Sequence, residues 1–139
     1  MWLFDTYSGI PEPSPRDPDH PIAKRYTGMF GASLEEVRRS LDFLGIGSNV
    51  RLVLGLFQDT LPLSPIRSIS LLHIDGDWYQ SVRVCLETMY DRVSPGGIIQ
   101  FDDYGIGRVH VKPLTSSRSK PHSRANRWRK LTRTPDYKS

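Results

Sequence analysis

The chain has 139 residues and a net charge of +4, a length that suits one domain or part of one. Its longest uncharged apolar stretch is only as long as a strand, so we expect no membrane span, and no secretory signal opens the chain. The single cysteine, Cys85, excludes an internal disulfide and suits a reducing compartment, so we expect a cytoplasmic protein.

The basic charge is concentrated at one end of the chain. Residues 1–106 carry nine Lys and Arg against fourteen Asp and Glu, whereas residues 107–139 carry ten against one. Residues 1–106, whose apolar pattern predicts a folded domain, are therefore acidic. The high isoelectric point of the whole chain gives no general argument for nucleic-acid binding. Because residues 108–139 also lack apolar periodicity, they predict a disordered basic tail.

The first elements in chain order are a strand, an irregular segment and a helix. Residues 2–5 predict the end of a strand that leads into a loop. Prolines recur through residues 8–28, which excludes helix interior and predicts a mobile lid or an irregular surface loop. Ser33 and Glu36 fit a capping box, and the apolar spacing that follows predicts a helix that ends at Gly45.

The rest of the pattern alternates strands with one long helix. Residues 50–54, 69–74 and 98–101 predict strands. Residues 78–93 predict a helix with an apolar face at helical spacing. That face comprises Val82, Cys85, Leu86, Met89 and Val93. Alternation of this kind indicates an α/β fold with a parallel sheet.

Two of the apolar strands each end in a pair of carboxylates. Asp75 and Asp77 follow the strand 69–74, and Asp102 and Asp103 follow the strand 98–101. Because ligands of open α/β sheets bind beyond the carboxyl ends of the strands, these oxygen ligands predict a site for a hard cation there. The alternative interpretation is that the aspartates cap the helices that follow.

Five segments share the pattern of a known family. They are WLFDTYSGIPEP at 2–13, GMFGASLEEVRRSL at 28–41, GLFQDTLP at 55–62, LLHIDGDWYQS at 71–81 and YDRVSPGGIIQFDDYG at 90–105. In combination they resemble the macrocin O-methyltransferase (TylF-type) family, and they cover almost all of residues 2–105. Members of that family use S-adenosylmethionine to methylate sugar hydroxyls of natural products.

The resemblance implies a Rossmann-like methyltransferase sheet, S-adenosylmethionine as cofactor and a divalent metal, expected to be Mg²⁺. Carried over to this sequence, the metal ligands are Asp75, Asp102 and Asp103. Such a metal lowers the pKa of a bound sugar hydroxyl, whose oxygen can then attack the sulfonium methyl group. Asp75 is also the candidate base that accepts the hydroxyl proton.

Three residues after strand ends are candidates for cofactor binding. Asp5 ends the first strand, where a carboxylate in such folds accepts hydrogen bonds from ribose hydroxyls. The alternative is a loop aspartate before a turn. Phe57 and Gln58 follow the strand 50–54, where the family forms part of the adenine pocket, although core packing is an equal interpretation for Phe57. For His73 we expect a core histidine rather than a metal ligand.

Both ends of the chain are expected to depart from the family. No first strand or glycine-rich turn precedes Trp2, which predicts a partial sheet without its first strand and without half of the cofactor site. Residues 106–139 look unrelated to the family and suggest a shifted reading frame. We therefore predict a partial methyltransferase domain at 1–106, a basic disordered tail at 107–139, and a truncated enzyme that is inactive alone.

Two other function classes stay open. A metal-dependent phosphoryl transferase or hydrolase would use the same carboxylates. A nucleic-acid-binding protein would use the basic tail, where Trp128 lies between two arginines, but non-specific binding of polyanions by a solvated tail is favoured. We expect a small sugar-containing acceptor, no specific nucleic-acid partner and no membrane partner, and we leave oligomer formation open.

Overall fold

The computed structural model of the protein describes residues 1–15, 17 and 20–102. The chain divides into two compact units, Met1–Pro65 and Ile66–Ser139. Each unit contains one pair of parallel strands together with helical segments. The predicted α/β class is therefore confirmed. The expectations for a tail at residues 107–139 lie outside the described residues.

The first unit is built on β1 (Trp2–Asp5) and β2 (Arg51–Leu54), as predicted. The two strands are parallel, with Trp2 opposite Arg51 and Asp5 opposite Leu54. Both carboxyl ends therefore lie at the same edge of this ladder. The guanidinium of Arg51 stacks on the Trp2 ring, 5.3 Å from its centroid.

Helix α2 (Leu34–Phe43) begins and ends where the sequence predicts. The Ser33 hydroxyl accepts the N–H of Glu36, whose carboxylate accepts the N–H of Ser33 at 2.8 Å. This capping box satisfies two backbone donors that the helix leaves unpaired. At the other end Gly45 adopts φ +70°, and its N–H donates to the carbonyl of Asp42 at 3.0 Å.

The segment 8–28 contains helical turns, so the prediction that excluded helix from this segment is wrong in part. Helix α1 (His20–Ala23) is followed by a 3₁₀ turn, Lys24–Tyr26. The physical reason is that α1 is a single turn, and Pro21 lies in it where the backbone N–H has no partner within a helix. A second single-turn helix that the sequence did not predict, α3 (Phe57–Thr60), follows β2.

In the second unit β3 (Ile69–Ile74) pairs with β4 (Val93–Phe101), and α4 (Tyr79–Met89) packs against β3. The strands are parallel, with Leu71 opposite Ile98 and an irregularity on the amino-terminal side of that pair. The buried core comprises Ile74, Val82, Val84, Cys85, Leu86 and Met89. The predicted apolar face of α4 is thus confirmed at four positions.

Val93 is the exception to the predicted helix face. A 3₁₀ turn, Tyr90–Arg92, tightens the chain after α4, and Val93 then adopts extended dihedral angles and pairs with Ile69. It therefore begins β4 instead of ending the helix. Within the described part of the chain, no helix is long and apolar enough to cross a membrane.

Candidate functional site

Two of the three predicted metal ligands follow neighbouring strand ends in the second unit. The N–H of Asp102 donates to the carbonyl of Ile74 at 3.0 Å, which continues the β3–β4 pairing beyond the strands. Asp102 therefore lies beside Asp75, the residue after Ile74, and both side chains are exposed. Asp103 lies outside the described residues. Among residues 1–102 where the structure describes them, no group of three metal-binding side chains forms.

The loop between β3 and α4 is packed closely against the first turn of that helix. A Cβ atom on Gly76 would lie 3.2 Å from Cβ of Ser81 and 3.4 Å from a methyl group of Val82. The N-cap of α4 is Trp78, which makes no side-chain capping bond, so Asp77 stands one residue before the capping position. Carboxylates just before a helix are favoured by its positive amino-terminal end.

His73 is exposed, so the expectation of a core histidine is wrong. Side chains alternate along β3, and Ile74 is buried in the core while His73 and Leu71 face away from it. The pattern of the strand predicted the alternation but not which face is covered. Among the described residues, His73 belongs to no group of three or more metal-binding side chains.

Asp5 stands at the carboxyl edge of the first unit, and its carboxylate is exposed. Its Oδ1 atom accepts the N–H of Tyr7 at 2.6 Å and the hydroxyl of Thr6 at 3.4 Å. This bond closes an Asx turn, as the loop-aspartate interpretation requires. No hydrogen bond to Oδ2 occurs within the described part of the chain.

The Asp5 carboxylate also affects the side chain of Tyr7. Tyr7 adopts φ +52° and folds back so that its hydroxyl donates to the carbonyl of Leu3 at 3.2 Å. Burial first, and then the Asp5 carboxylate, raise the pKa of the Tyr7 phenol above its usual value. Tyr7 is therefore a neutral hydrogen-bond donor beside Asp5 at neutral pH.

Phe57 and Gln58 reach the same edge as Asp5. The N–H of Gly55, the residue after β2, donates to the Asp5 carbonyl at 2.9 Å, and Phe57 then begins α3. Gly55 adopts φ +138°, and a Cβ atom there would lie 2.9 Å from a methyl group of Thr60, so glycine is required. Phe57 is half-buried and Gln58 is exposed. The structure thus brings the three predicted cofactor residues to one edge.

A cavity of about 170 Å³ lies elsewhere in the first unit. It is lined by Arg38, Leu41, Asp42, Gly47, Val50 and Leu52. Val50 immediately precedes β2, so the cavity opens near the amino end of that strand and not at the carboxyl edge. Its volume is also below the several hundred Å³ typical of ligand pockets.

A backbone clasp that the sequence did not predict fixes the chain after Asp5. The N–H of Ile10 donates to the carbonyl of Met29 at 3.0 Å, and the N–H of Gly28 donates to the carbonyl of Ile10 at 2.8 Å. A Cβ atom on Gly31 would lie 2.7 Å from the backbone nitrogen of Gly9, so the two segments touch backbone to backbone. The glycines at 9 and 31 are the signal, but their separation in sequence hides the contact.

Known proteins resemble the chain in both sequence and structure. Over 112 residues it is 33% identical to the 8-demethyl-8-(2,3-dimethoxy-alpha-L-rhamnosyl)-tetracenomycin-C 4'-O-methyltransferase of Streptomyces olivaceus. Over 108 residues it is 36% identical to the demethyldecarbamoylnovobiocin O-methyltransferase of Streptomyces niveus. The solved structure of the O-methyltransferase NovP superposes with a TM-score of 0.67 at 36% identity.

These matches cover about three quarters of this chain and less than half of each relative. The shares are 76% of this chain and 42% of the Streptomyces olivaceus enzyme, 75% and 41% for the Streptomyces niveus enzyme, and 74% and 44% for the NovP chain. The profile of the macrocin-O-methyltransferase (TylF) family matches residues 1–121. That match extends past the boundary expected at residue 106. The chain belongs to the macrocin-O-methyltransferase (TylF) family.

Proposed function

We propose that the chain carries part of an S-adenosylmethionine-dependent O-methyltransferase that acts on a sugar hydroxyl of a natural product. Membership of the family supports this proposal, and it favours methyl transfer over phosphoryl transfer as the use of the carboxylates. One relative is named as a methyltransferase of a rhamnosyl-tetracenomycin, which supports a glycosylated small molecule as the acceptor. The proposal assigns this role to residues 1–106 and no catalytic role to residues 107–139.

The observation that carries the proposal is the convergence of Asp5, Phe57 and Gln58 at one carboxyl edge. Oδ2 of Asp5 is the oxygen proposed to accept a ribose hydroxyl, while Oδ1 holds the turn at Tyr7. A half-buried Phe57 offers a flat face on which an adenine ring can stack. Gln58 is exposed beside it and supplies amide groups for the edge of the base.

The proposal places a divalent metal, Mg²⁺, at the edge of the second unit. Asp75 and Asp102 supply carboxylate oxygens from adjacent strand ends, and Asp103 would complete the set. Two exposed carboxylates side by side repel each other, and a hard cation removes that cost. When bound, Mg²⁺ would lower the pKa of a sugar hydroxyl at this edge. Asp75 would be the residue that accepts the proton of that hydroxyl.

Calorimetry of the 139-residue chain with S-adenosylhomocysteine, with and without Mg²⁺, tests the cofactor assignment. Asp5→Asn keeps an oxygen at Oδ1 that can hold the turn, but it removes the negative charge and makes the other position a donor. Loss of charge-assisted hydrogen bonds of about 1.5–3 kcal/mol predicts an affinity at least about tenfold lower. Asp91→Asn, an exposed aspartate of the second unit, is the matched control and should bind normally. Equal binding by both variants contradicts the role of Asp5.

The same instrument tests the metal site. Mg²⁺ should bind the wild-type chain and the Asp91→Asn control, and Asp102→Asn should weaken that binding because a neutral amide replaces a charged ligand. If Mg²⁺ binds to the chain but S-adenosylhomocysteine does not, the metal assignment stands and the cofactor assignment fails. If neither binds, the proposed function is wrong for this chain.

A further inference from the structure

Three apolar side chains at the end of the backbone clasp are exposed to solvent. Tyr26 and Met29 are each 44% exposed and Phe30 is 80% exposed, and together we call them the apolar lip. The N–H of Met29 donates to the carbonyl of Tyr26 at 2.9 Å, so these two residues are the ends of one turn, and Phe30 follows it directly. Apolar side chains grouped in this way mark an interaction site more often than isolated ones do.

The apolar lip is held next to the candidate cofactor residue by a chain of short contacts. Oδ1 of Asp5 accepts the N–H of Tyr7, and the hydroxyl of Thr6 donates to the carbonyl of Gly9 at 3.0 Å. Gly9 in turn lies so close to the other segment that a Cβ atom on it would be 2.5 Å from the carbonyl oxygen of Met29. The position of the apolar lip relative to Asp5 is therefore set by hydrogen bonds of the Asp5 and Thr6 side chains together with the close backbone contact at Gly9.

Phe30 adopts a strained backbone conformation whose free-energy cost is not offset by burial of its ring. Its φ of +57° lies in the left-handed region, which costs a bulky residue on the order of 1–3 kcal/mol. A buried aromatic ring would offset that cost, but this ring is 80% exposed. Strained residues of this kind concentrate at ligand sites, where the strain holds a side chain in position for a partner.

We propose that the apolar lip binds the apolar ring system to which the sugar of the acceptor is attached. This inference rests on the proposed function, because it takes the sugar hydroxyl to be the methylated group. An aromatic ring, a phenol and a thioether suit the face of a flat apolar ring, and none of them carries a charge that would favour a polyanion.

The size of the apolar lip favours a small molecule over a protein. Its three side chains expose on the order of 300 Å², against roughly 800 Å² per partner in a standard protein interface. Of the two cations that precede the apolar lip in the chain, Lys24 is paired with Glu12 at 3.2 Å and Arg25 is exposed.

Methionine methyl groups labelled with ¹³C report binding directly, without any need for methyl transfer. The chain has three: Met29 in the apolar lip, Met89 buried at 2% exposure in the core, and Met1 at the amino terminus. The probes are 4-nitrophenyl α-L-rhamnopyranoside and methyl α-L-rhamnopyranoside, which share a sugar and differ in the ring. We expect the aryl glycoside to shift the Met29 signal, to leave Met89 unchanged, and to bind about tenfold more tightly than the methyl glycoside.

Phe30→Gly separates binding from folding, because glycine removes the ring and also relieves the φ strain. The variant should lose the preference for the aryl glycoside, while its thermal midpoint stays equal to or above that of the wild type. Phe43→Ala, which removes another ring that is 91% exposed, is the control and should keep the preference.

Three results would overturn the inference. If the wild type binds both glycosides with equal affinity and still binds S-adenosylhomocysteine, the apolar lip does not bind the ring system. The proposed function is then unaffected. A Met29 shift that follows protein concentration instead of glycoside assigns the surface to contacts between copies of the chain. Failure to bind S-adenosylhomocysteine and both glycosides rejects the proposed function, and this inference with it.

Discussion

The two units form their carboxyl edges in different ways. In the first unit Asp5 is held by an Asx turn, Gly55 ties the end of β2 to the end of β1, and a backbone clasp follows. In the second unit Asp75 and Asp102 stand side by side with exposed side chains. One edge is thus organised by the backbone before any ligand arrives, whereas the other presents like charges whose repulsion a cation would remove.

The two units also differ in how well their apolar side chains are buried, and here burial is more complete in the second unit. The second unit has a continuous core in which Leu86 is completely buried and Met89 and Ile74 are nearly so. In the first unit, by contrast, α2 has no buried residue, and its C-cap residue Leu44 is 64% exposed. The first unit buries Ala23 and Leu61, so it depends more on backbone contacts and caps for its order, whereas the second depends more on apolar burial. This contrast can be tested by removing one contribution at a time.

Leu86→Ala should cause the largest loss of stability. Leu86 is fully buried on the face of α4, so the substitution leaves a cavity and should cost about 2–5 kcal/mol of unfolding free energy. Urea unfolding followed by circular dichroism measures the loss, and hydrogen exchange locates it. Amides of β3 and β4 should lose more protection than amides of β1 and β2.

Leu63→Ala is the control for this experiment, since Leu63 is 84% exposed and its removal should cost almost nothing. If both variants lose the same stability, the second unit does not depend on its core in the way that the burial indicates.

Gly9→Ala should damage the first unit by a smaller amount. Gly9 adopts φ +89°, and a Cβ atom there would lie 2.5–2.6 Å from backbone atoms of Gly28 and Met29. Strain and overlap together should cost on the order of 2–3 kcal/mol. The measurement is again urea unfolding, with the Met29 methyl signal as a local reporter of the clasp.

Gly28→Ala provides a matched comparison for that variant. Gly28 also has a positive φ, +77°, but a Cβ atom there would meet nothing within 4 Å. It should therefore suffer only the conformational cost, about 1 kcal/mol, and keep the clasp. Equal losses at the two glycines would show that close approach of the backbone is not what orders this edge.

The elements that the sequence predicted well are those with local signals. Ser33 and Glu36 mark the start of α2 and Gly45 its end, and short apolar runs mark the strands. Val93 was misplaced because a 3₁₀ turn ended the helix earlier than its apolar spacing did. The single-turn helices α1 and α3 are too short to carry a periodic signal.

The site was predictable to the extent that strand ends define it. Asp5 and Asp102 were identified because each follows an apolar run, and parallel pairing brings such ends together. The exposure of His73 was not predictable, because it depends on which face of β3 another element covers. The clasp was missed for a similar reason: Gly9 and Gly31 touch through the fold, and no local pattern links them.

The smallest expected effect concerns pH and again distinguishes the two units. Burial in the core raises the pKa of the Cys85 thiol to about 12, whereas an unfolded chain ionises this group near 9. Above pH 9 the unfolded state therefore releases a proton that the folded state retains, so stability falls as pH rises towards 12 and is unaffected below 9. At pH 10 the loss should be on the order of 1 kcal/mol.

Cys85→Ala lacks the thiol and supplies the comparison. We expect it to be less stable than the wild type at pH 8, because a buried side chain is shortened. Its stability should fall less above pH 9, and the difference should equal the loss attributed to the thiol. Hydrogen exchange at pH 8 and pH 10 should show the wild-type decline in β3 and β4, with little change in β1 and β2 beyond the intrinsic effect of pH. If the stability of the wild type falls no more steeply above pH 9 than that of Cys85→Ala, water reaches the thiol. The second unit would then lack the dry core that distinguishes it from the first.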